Sequence, residues 1–287
     1  MPNKIAFLFL TMDNTNIPEI WEYYFRENED RINIYCHPKN KELVTDSFLK
    51  DNIINDLKET SWSHVTNAIL SLLKTAFKDK DNKYFLTVTD SCLPIKSFNI
   101  FYDFLFNNDI KKSYIKLFSD KSKEETIKYF FDKKNYNKYF SKNYNFVKHE
   151  SWFCLSRYHL KKLLSNKDTY KFKKLHVSNE LFLSPLFPSN NIIDYEITFI
   201  DWSKTKLADK ITKKIEVLWK TYDETHNKKL LKKIKKLKLL RMKYGKHPKT
   251  FNKINSSLIK KMKKSKSFFW RKFDKNSNII KYYKKLI

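Results

Sequence analysis

One continuous apolar run and two further strand-like segments alternate with segments of helical periodicity in the first ninety residues, and this alternation limits the fold more than any other feature. Residues 5–10 are apolar throughout and end in a polar loop, as a strand buried on both faces would. Ile20, Trp21, Tyr24 and Phe25 then fall at helical spacing within residues 17–26. Residues 31–36 read as a second strand. Between 65 and 77, Ala68, Ile69, Leu72, Leu73 and Ala76 recur at helical intervals, and 84–89 is a third strand. Strand, helix, strand, helix, strand predicts an α/β protein with an open, mostly parallel sheet flanked by helices. Ligands of such sheets sit beyond the carboxyl ends of the strands. A site is therefore expected in the loops that start at Thr11, His37 and Asp90. Further strands are expected at 114–118, 152–156, 197–201 and 268–273, with irregular surface structure over the polar, tyrosine-rich residues 119–142.

The chain has 41% hydrophobic and 16% aromatic residues, enough for a sizeable core, and its 287 residues could form one large domain or two small ones. It has one glycine, so Asn is expected to take the left-handed turn positions, with Asn14/Asn16, Asn107/Asn108 and Asn190/Asn191 as candidates. The net charge of +28 comes almost entirely from Lys scattered along the chain, as an AT-rich coding sequence would produce. Arg, which supplies most specific base contacts, is scarce, so specific nucleic-acid recognition is not expected. Weak polyanion binding at low salt is. Residues 204–243 differ in character. There Leu230, Ile234 and Leu237 form a narrow stripe in a lysine-studded helix, read as a basic helical insertion that pairs with residues 207–222 or touches a membrane or another acidic surface. Cys36, Cys92 and Cys154 are odd in number and far apart, which argues against a disulfide framework or structural zinc and for a reducing compartment. No apolar run is long enough for a signal peptide or a membrane span, so a soluble, cytoplasmic protein is expected.

The segment from Thr60 to Leu105 is specific. After Ser61-Trp62 and a helix ending Leu72-Leu73-Lys74-Thr75-Ala76 comes a strand, Tyr84-Phe85-Leu86-Thr87-Val88-Thr89, and then the turn Asp90-Ser91-Cys92-Leu93-Pro94. Ser151-Trp152-Phe153-Cys154-Leu155-Ser156-Arg157, Ser178-Asn179-Glu180-Leu181-Phe182, His247-Pro248-Lys249-Thr250-Phe251 and Phe269-Trp270-Arg271-Lys272-Phe273-Asp274 follow in order. Together these blocks resemble the core-2/I-branching β-1,6-N-acetylglucosaminyltransferase family, which includes peptide xylosyltransferases and plant relatives. The resemblance runs over most of the chain and implies one catalytic domain over residues 1–287, with residues 204–243 matching it least.

The resemblance implies a GT-A-like fold and inverting transfer of a sugar, with GlcNAc expected, from a UDP-sugar to a glycan or glycoprotein hydroxyl. It further implies that basic side chains replace a metal, so no cofactor is expected. Glu180 matches the family's base. Ser178 is placed to cap a short helix whose dipole would favour the ionised Glu180. Asn179 departs from the family's Asp. Arg271, Lys272 and Lys249 match the residues that hold the diphosphate. Thr11, His37 and Lys39 are candidates for the nucleotide, Asp90, Ser91 and Ser151 for the donor sugar, and Trp202 for the acceptor. Trp152 is expected in the core. Asp90-Ser91-Cys92 is a poor ligand set for a hard cation, and Asp79-Lys80-Asp81 precedes its strand and reads as a solvated turn. Two other readings compete, a nucleic-acid-binding protein and a relative that has lost turnover and binds glycans. The composition and the missing anchor would suit a viral or microbial enzyme.

Overall fold

The computed structural model describes residues 2–62, 64–118, 139–141, 144–175, 178–244 and 247–287. Its main sheet has six strands in the order β2-β1-β3-β6-β5-β7, namely β1 (Lys4–Thr11), β2 (Ile32–Pro38), β3 (Asn82–Thr89), β5 (Ser113–Ile115), β6 (Cys154–Ser156) and β7 (Ile192–Asp194). Neighbours run parallel except at β6, which is antiparallel to both β3 and β5. A second sheet, β4-β9-β8, is built from β4 (Leu93–Pro94), β8 (Thr198–Ile200) and β9 (Phe269–Arg271). This is the mostly parallel, helix-flanked α/β arrangement expected of a GT-A-like fold.

The continuous apolar run of β1 is explained by burial on both faces. In β1, Ile5, Phe7 and Phe9 join one core cluster with Trp21, Tyr24 and Phe25 of helix Pro18–Phe25. Ala6 and Leu8 point the other way, into a cluster with Ile69, Leu72, Leu73 and Ala76 of helix Thr66–Phe77. Large and small residues thus alternate between the faces. A one-residue slip would force Phe7 and Phe9 into space shaped for Ala6 and Leu8, so overpacking fixes the register. Trp21 stacks on Phe269 with ring centroids 6.1 Å apart, which seats the second sheet on the first.

Arg157 closes the opposite end of this unit. Its guanidinium donates to the carbonyls of Phe77, Asp79 and Asn82 at 2.8–3.1 Å and lies 4.2 Å over the Phe77 ring. It therefore caps the carboxyl end of helix Thr66–Phe77, away from the strand ends where a ligand is expected. Asp79 accepts from Asn33 Nδ2 at 2.7 Å at this end too, so Asp79-Lys80-Asp81 is a turn, as its place before β3 implied.

Some expectations are corrected. The left-handed residues among those described are Glu27 and His226 and none of the Asn pairs. Asn14 instead locks its loop through its side chain, whose Oδ1 accepts from Thr45 and Asp46 N–H at 2.7 and 2.9 Å. Strands β4 and β7 were not foreseen: β4 has two residues, and β7 is an edge strand whose Ile192 and Ile193 are only half-buried. Of residues 119–142, only 139–141 lie among the described residues. The three cysteines are free and buried. Residues 204–243 form a helical hairpin, Ser203–Thr225 and Lys228–Lys243, which meets through Ile211, Ile215 and Ile234. No helix among the described residues is long and apolar enough to cross a membrane.

Candidate active site

At the carboxyl edge of β1, β2 and β3 the expected loops come together. Thr11 pairs with Pro38 across β1 and β2, so the two loops start level. Lys39 N–H donates to the Thr11 carbonyl at 2.9 Å and Asn40 N–H to that of Met12 at 2.8 Å. Thr11 is buried, and its hydroxyl donates to the Asp13 carbonyl at 2.8 Å. His37 is buried as well. Its Nε2 accepts from Lys58 N–H at 2.8 Å, which assigns the ring proton to Nδ1, a buried atom with no hydrogen-bond partner among the described residues. Burial lowers the His37 pKa and keeps the ring neutral. Thr11 and His37 therefore shape the floor of these loops, and Lys39 is exposed at their rim.

Asn16, which sequence reasoning offered only as a turn residue, clips this edge to the second sheet. Its N–H donates to the Asp90 carbonyl at 2.8 Å and its Nδ2 to the Phe273 carbonyl at 2.7 Å. Phe273 N–H in turn donates to the Ser91 carbonyl at 2.9 Å. These bonds bring Asp90 beside Arg271 and Lys272, although some 180 residues separate them. Ser91 is a correction. It is fully buried, with its hydroxyl 3.4 Å from that of Thr89, and offers no surface to a sugar. Asp90 is partly exposed at the loop. Burial raises the Cys92 pKa and keeps it a thiol, an unsuitable ligand for a hard cation.

The other wall is the segment leading into β6. His149 N–H donates to the Glu180 carbonyl at 2.9 Å, and Asn179 Nδ2 to Ser151 Oγ at 2.7 Å, so residues 149–151 run beside 179–180. Ser151, expected to face the donor sugar, is buried and engaged with Asn179, so it braces the Glu180 turn. Glu180 ends a single 3₁₀ turn, Ser178–Glu180. Ser178 is not its cap: the hydroxyl is buried 2.6 Å from that of Thr66. One turn aligns too few peptides for a useful dipole, and the local positive charge comes from Lys148, whose Nζ is 3.5 Å from Glu180 Oε2. The Glu180 side chain is 29% exposed, enough to meet a substrate.

Arg271 faces this wall from β9. Its guanidinium lies 4.2 Å over the Trp152 ring, and its Nε is buried with no hydrogen-bond partner among the described residues. Trp152, expected in the core, is half-buried. Phe153 takes the core side of the strand and turns Trp152 towards Arg271. Phe269, Trp270 and Phe273 pack around the arginine's backbone in the core. Lys249 joins through its neighbours: its N–H donates to the Asp201 carbonyl at 2.8 Å, and Phe251 N–H donates to that of Lys272 at 2.7 Å. Both Lys249 and Lys272 have exposed side chains. Among the described residues, no group of three or more His, Cys, Asp or Glu side chains comes together as a metal site.

Glu150, which sequence reasoning passed over, lies between His149 and Ser151 and is 9% exposed. Burial first, and then the neighbouring Glu180 charge, push its carboxyl up to about 7, while Arg271 and a hydrogen bond from Trp202 pull the other way. Trp202, half-buried just after β8, is thereby tied to the same cluster. No spacing rule marks Glu150, because its environment is assembled from β6, β8 and β9.

A family model described as Core-2/I-Branching enzyme matches residues 5–263. The chain belongs to this family. It is also similar to glycosyltransferase BC10 of Oryza sativa subsp. japonica, at 28% identity over 125 residues. That match covers 41% of this chain and 31% of the rice protein, so the chain spans less than a third of the length of that relative. In this core-2/I-branching protein, Glu180, Arg271, Lys272, Lys249 and Asp90 gather at one edge with Trp202, while Thr11, His37, Ser91 and Ser151 build the frame beneath them.

Glu150 should be visible in the pH dependence of stability. Its folded-state pKa of about 7 lies above the ordinary 4.5. Between these values the folded protein holds a proton that the unfolded chain has released. The stabilisation is complete below the lower value and is lost as pH rises through the upper one, by about 3 kcal/mol in all. Glu150→Gln is expected to flatten that decline and to melt higher than the parent at about pH 8. Thermal melts across this range check it, and an unchanged decline in the variant would place the proton elsewhere.

Proposed function

We propose that this protein is an inverting, metal-independent glycosyltransferase that moves a sugar, GlcNAc being the expected one, from a UDP-sugar to a glycan hydroxyl. The observation that carries the reading is Arg271. A guanidinium with an unpartnered buried N–H is costly unless something pairs with it. Stacked on Trp152, beside exposed Lys272 and Lys249 and at the strand ends that face Glu180, it is placed for a diphosphate.

The chemistry divides between the two walls. The nucleotide lies over the joined loops after β1 and β2, with Lys39 at the rim and Asp90 towards the donor sugar. The Glu180 carboxylate takes the proton of the acceptor hydroxyl as its oxygen attacks the anomeric carbon. The bond from that carbon to the β-phosphate oxygen breaks, and the electron pair leaves with UDP. Arg271, Lys272 and Lys249 offset the charge that develops there. Trp202, held through its indole N–H by Glu150, offers its ring to the apolar face of the acceptor sugar.

Thermal shift with UDP and with UDP-GlcNAc, UDP-xylose, UDP-glucuronate and UDP-glucose tests this, with and without EDTA. Stabilisation by UDP and one UDP-sugar, growing with ligand concentration and unchanged by EDTA, is expected. A shift abolished by EDTA would overturn metal independence. Stabilisation by oligonucleotides and by none of the uridine nucleotides would overturn the transferase reading.

A further inference from the structure

The hairpin helix Lys228–Lys243 lies outside everything assigned above. Its sixteen residues carry nine Lys or Arg and no Asp or Glu. The whole chain has 59 Lys and Arg in 287 residues, which would place about three in such a stretch. General lysine richness therefore does not account for it.

The partner helix Ser203–Thr225 defines which face is free. Ile234 is buried in the hairpin seam and Leu237 packs against it. Lys238 Nζ sits 5.1 Å over the Trp219 ring, and Arg241 Nε donates to Thr212 Oγ1 at 2.6 Å. At helical spacing the opposite face carries Lys232, Lys235, Lys236, Leu239 and Met242. All five are exposed, Leu239 at 59% and Met242 at 76%.

We propose that this outward face docks on a membrane surface rich in anionic lipid. The two apolar side chains decide between polyanions. A nucleic-acid backbone would engage the lysines but gives Leu239 and Met242 no place to leave water. A lipid headgroup region takes both, with cations on the phosphates and apolar side chains at the acyl boundary. The helix lies along the surface, stiffened by its partner through the Ile234 seam.

The test is co-sedimentation of the full chain with vesicles of phosphatidylcholine, alone or mixed with phosphatidylserine. Salt is varied and a short DNA duplex serves as competitor. Two double variants separate the contributions, Lys232→Glu with Lys236→Glu and Leu239→Ser with Met242→Ser. All four positions are exposed, so both proteins should melt like the parent. Binding is expected only to the phosphatidylserine vesicles, weakened by salt, cut at least about tenfold by the charge pair and several-fold by the apolar pair. Equal binding to both vesicles would overturn the proposal. So would full binding by the apolar variant, or preference for the duplex over the vesicles.

Discussion

Glu180→Gln is expected to lower turnover by about two to four orders of magnitude while leaving UDP affinity and melting temperature close to those of the parent. Gln keeps the size of the side chain and a hydrogen-bonding oxygen but cannot accept the acceptor's proton. Glu180 is 29% exposed, so the pair it forms with Lys148 at 3.5 Å is partly solvated and its loss should cost little stability. The effect should fall on kcat and much less on donor binding, because the proposed diphosphate contacts are Arg271, Lys272 and Lys249 and do not include Glu180. Initial rates with the donor identified by thermal shift, together with UDP titration, check it. A variant with parental turnover would show that another group takes the proton, and Glu150 would then be the first to examine.

Arg271→Ala is expected to weaken UDP binding and to lower kcat/KM by about two to three orders of magnitude. Arg271→Lys should recover only part of this. Lysine restores a positive charge but loses both the planar stack on Trp152 and the two-pronged contact with phosphate. The ordering parent, Lys, Ala in both titration and rate would identify the geometry of the guanidinium, beyond its charge, as the source of the effect. Parental UDP binding by the alanine variant would sink the assignment. The same substitution removes the cation that pulls against burial at Glu150, so its carboxyl should titrate higher still.

Local spacing alone carries the hairpin. Leu230, Ile234 and Leu237 at helical intervals predict a narrow seam, and Ile234 with Leu237 fills it. The opening strands were legible for a related reason. Burial on both faces leaves the unbroken apolar run of β1, and strands alternating with helical stripes point to parallel pairing. By contrast β6 runs antiparallel between β3 and β5, and no residue in its own segment records that direction.

The site divides along the same line. Motif order named Glu180, Arg271, Lys272 and Lys249, and the location of Thr11, His37 and Asp90 at strand ends followed from the α/β pattern. Their division into working side chains and framework did not follow. Ser91 turns inward to Thr89, and Ser151 braces Asn179. Trp152 leaves the core to carry Arg271, and Asn16 joins loops far apart in the chain. The Glu150 pKa is raised because burial and a second carboxylate meet there. The periodicities, and with them the elements and the face each one buries, are written in the chain itself, because they are local properties of spacing and hydrophobicity. Solvent access, partner and charge environment arise on folding, because they depend on side chains brought together from distant segments.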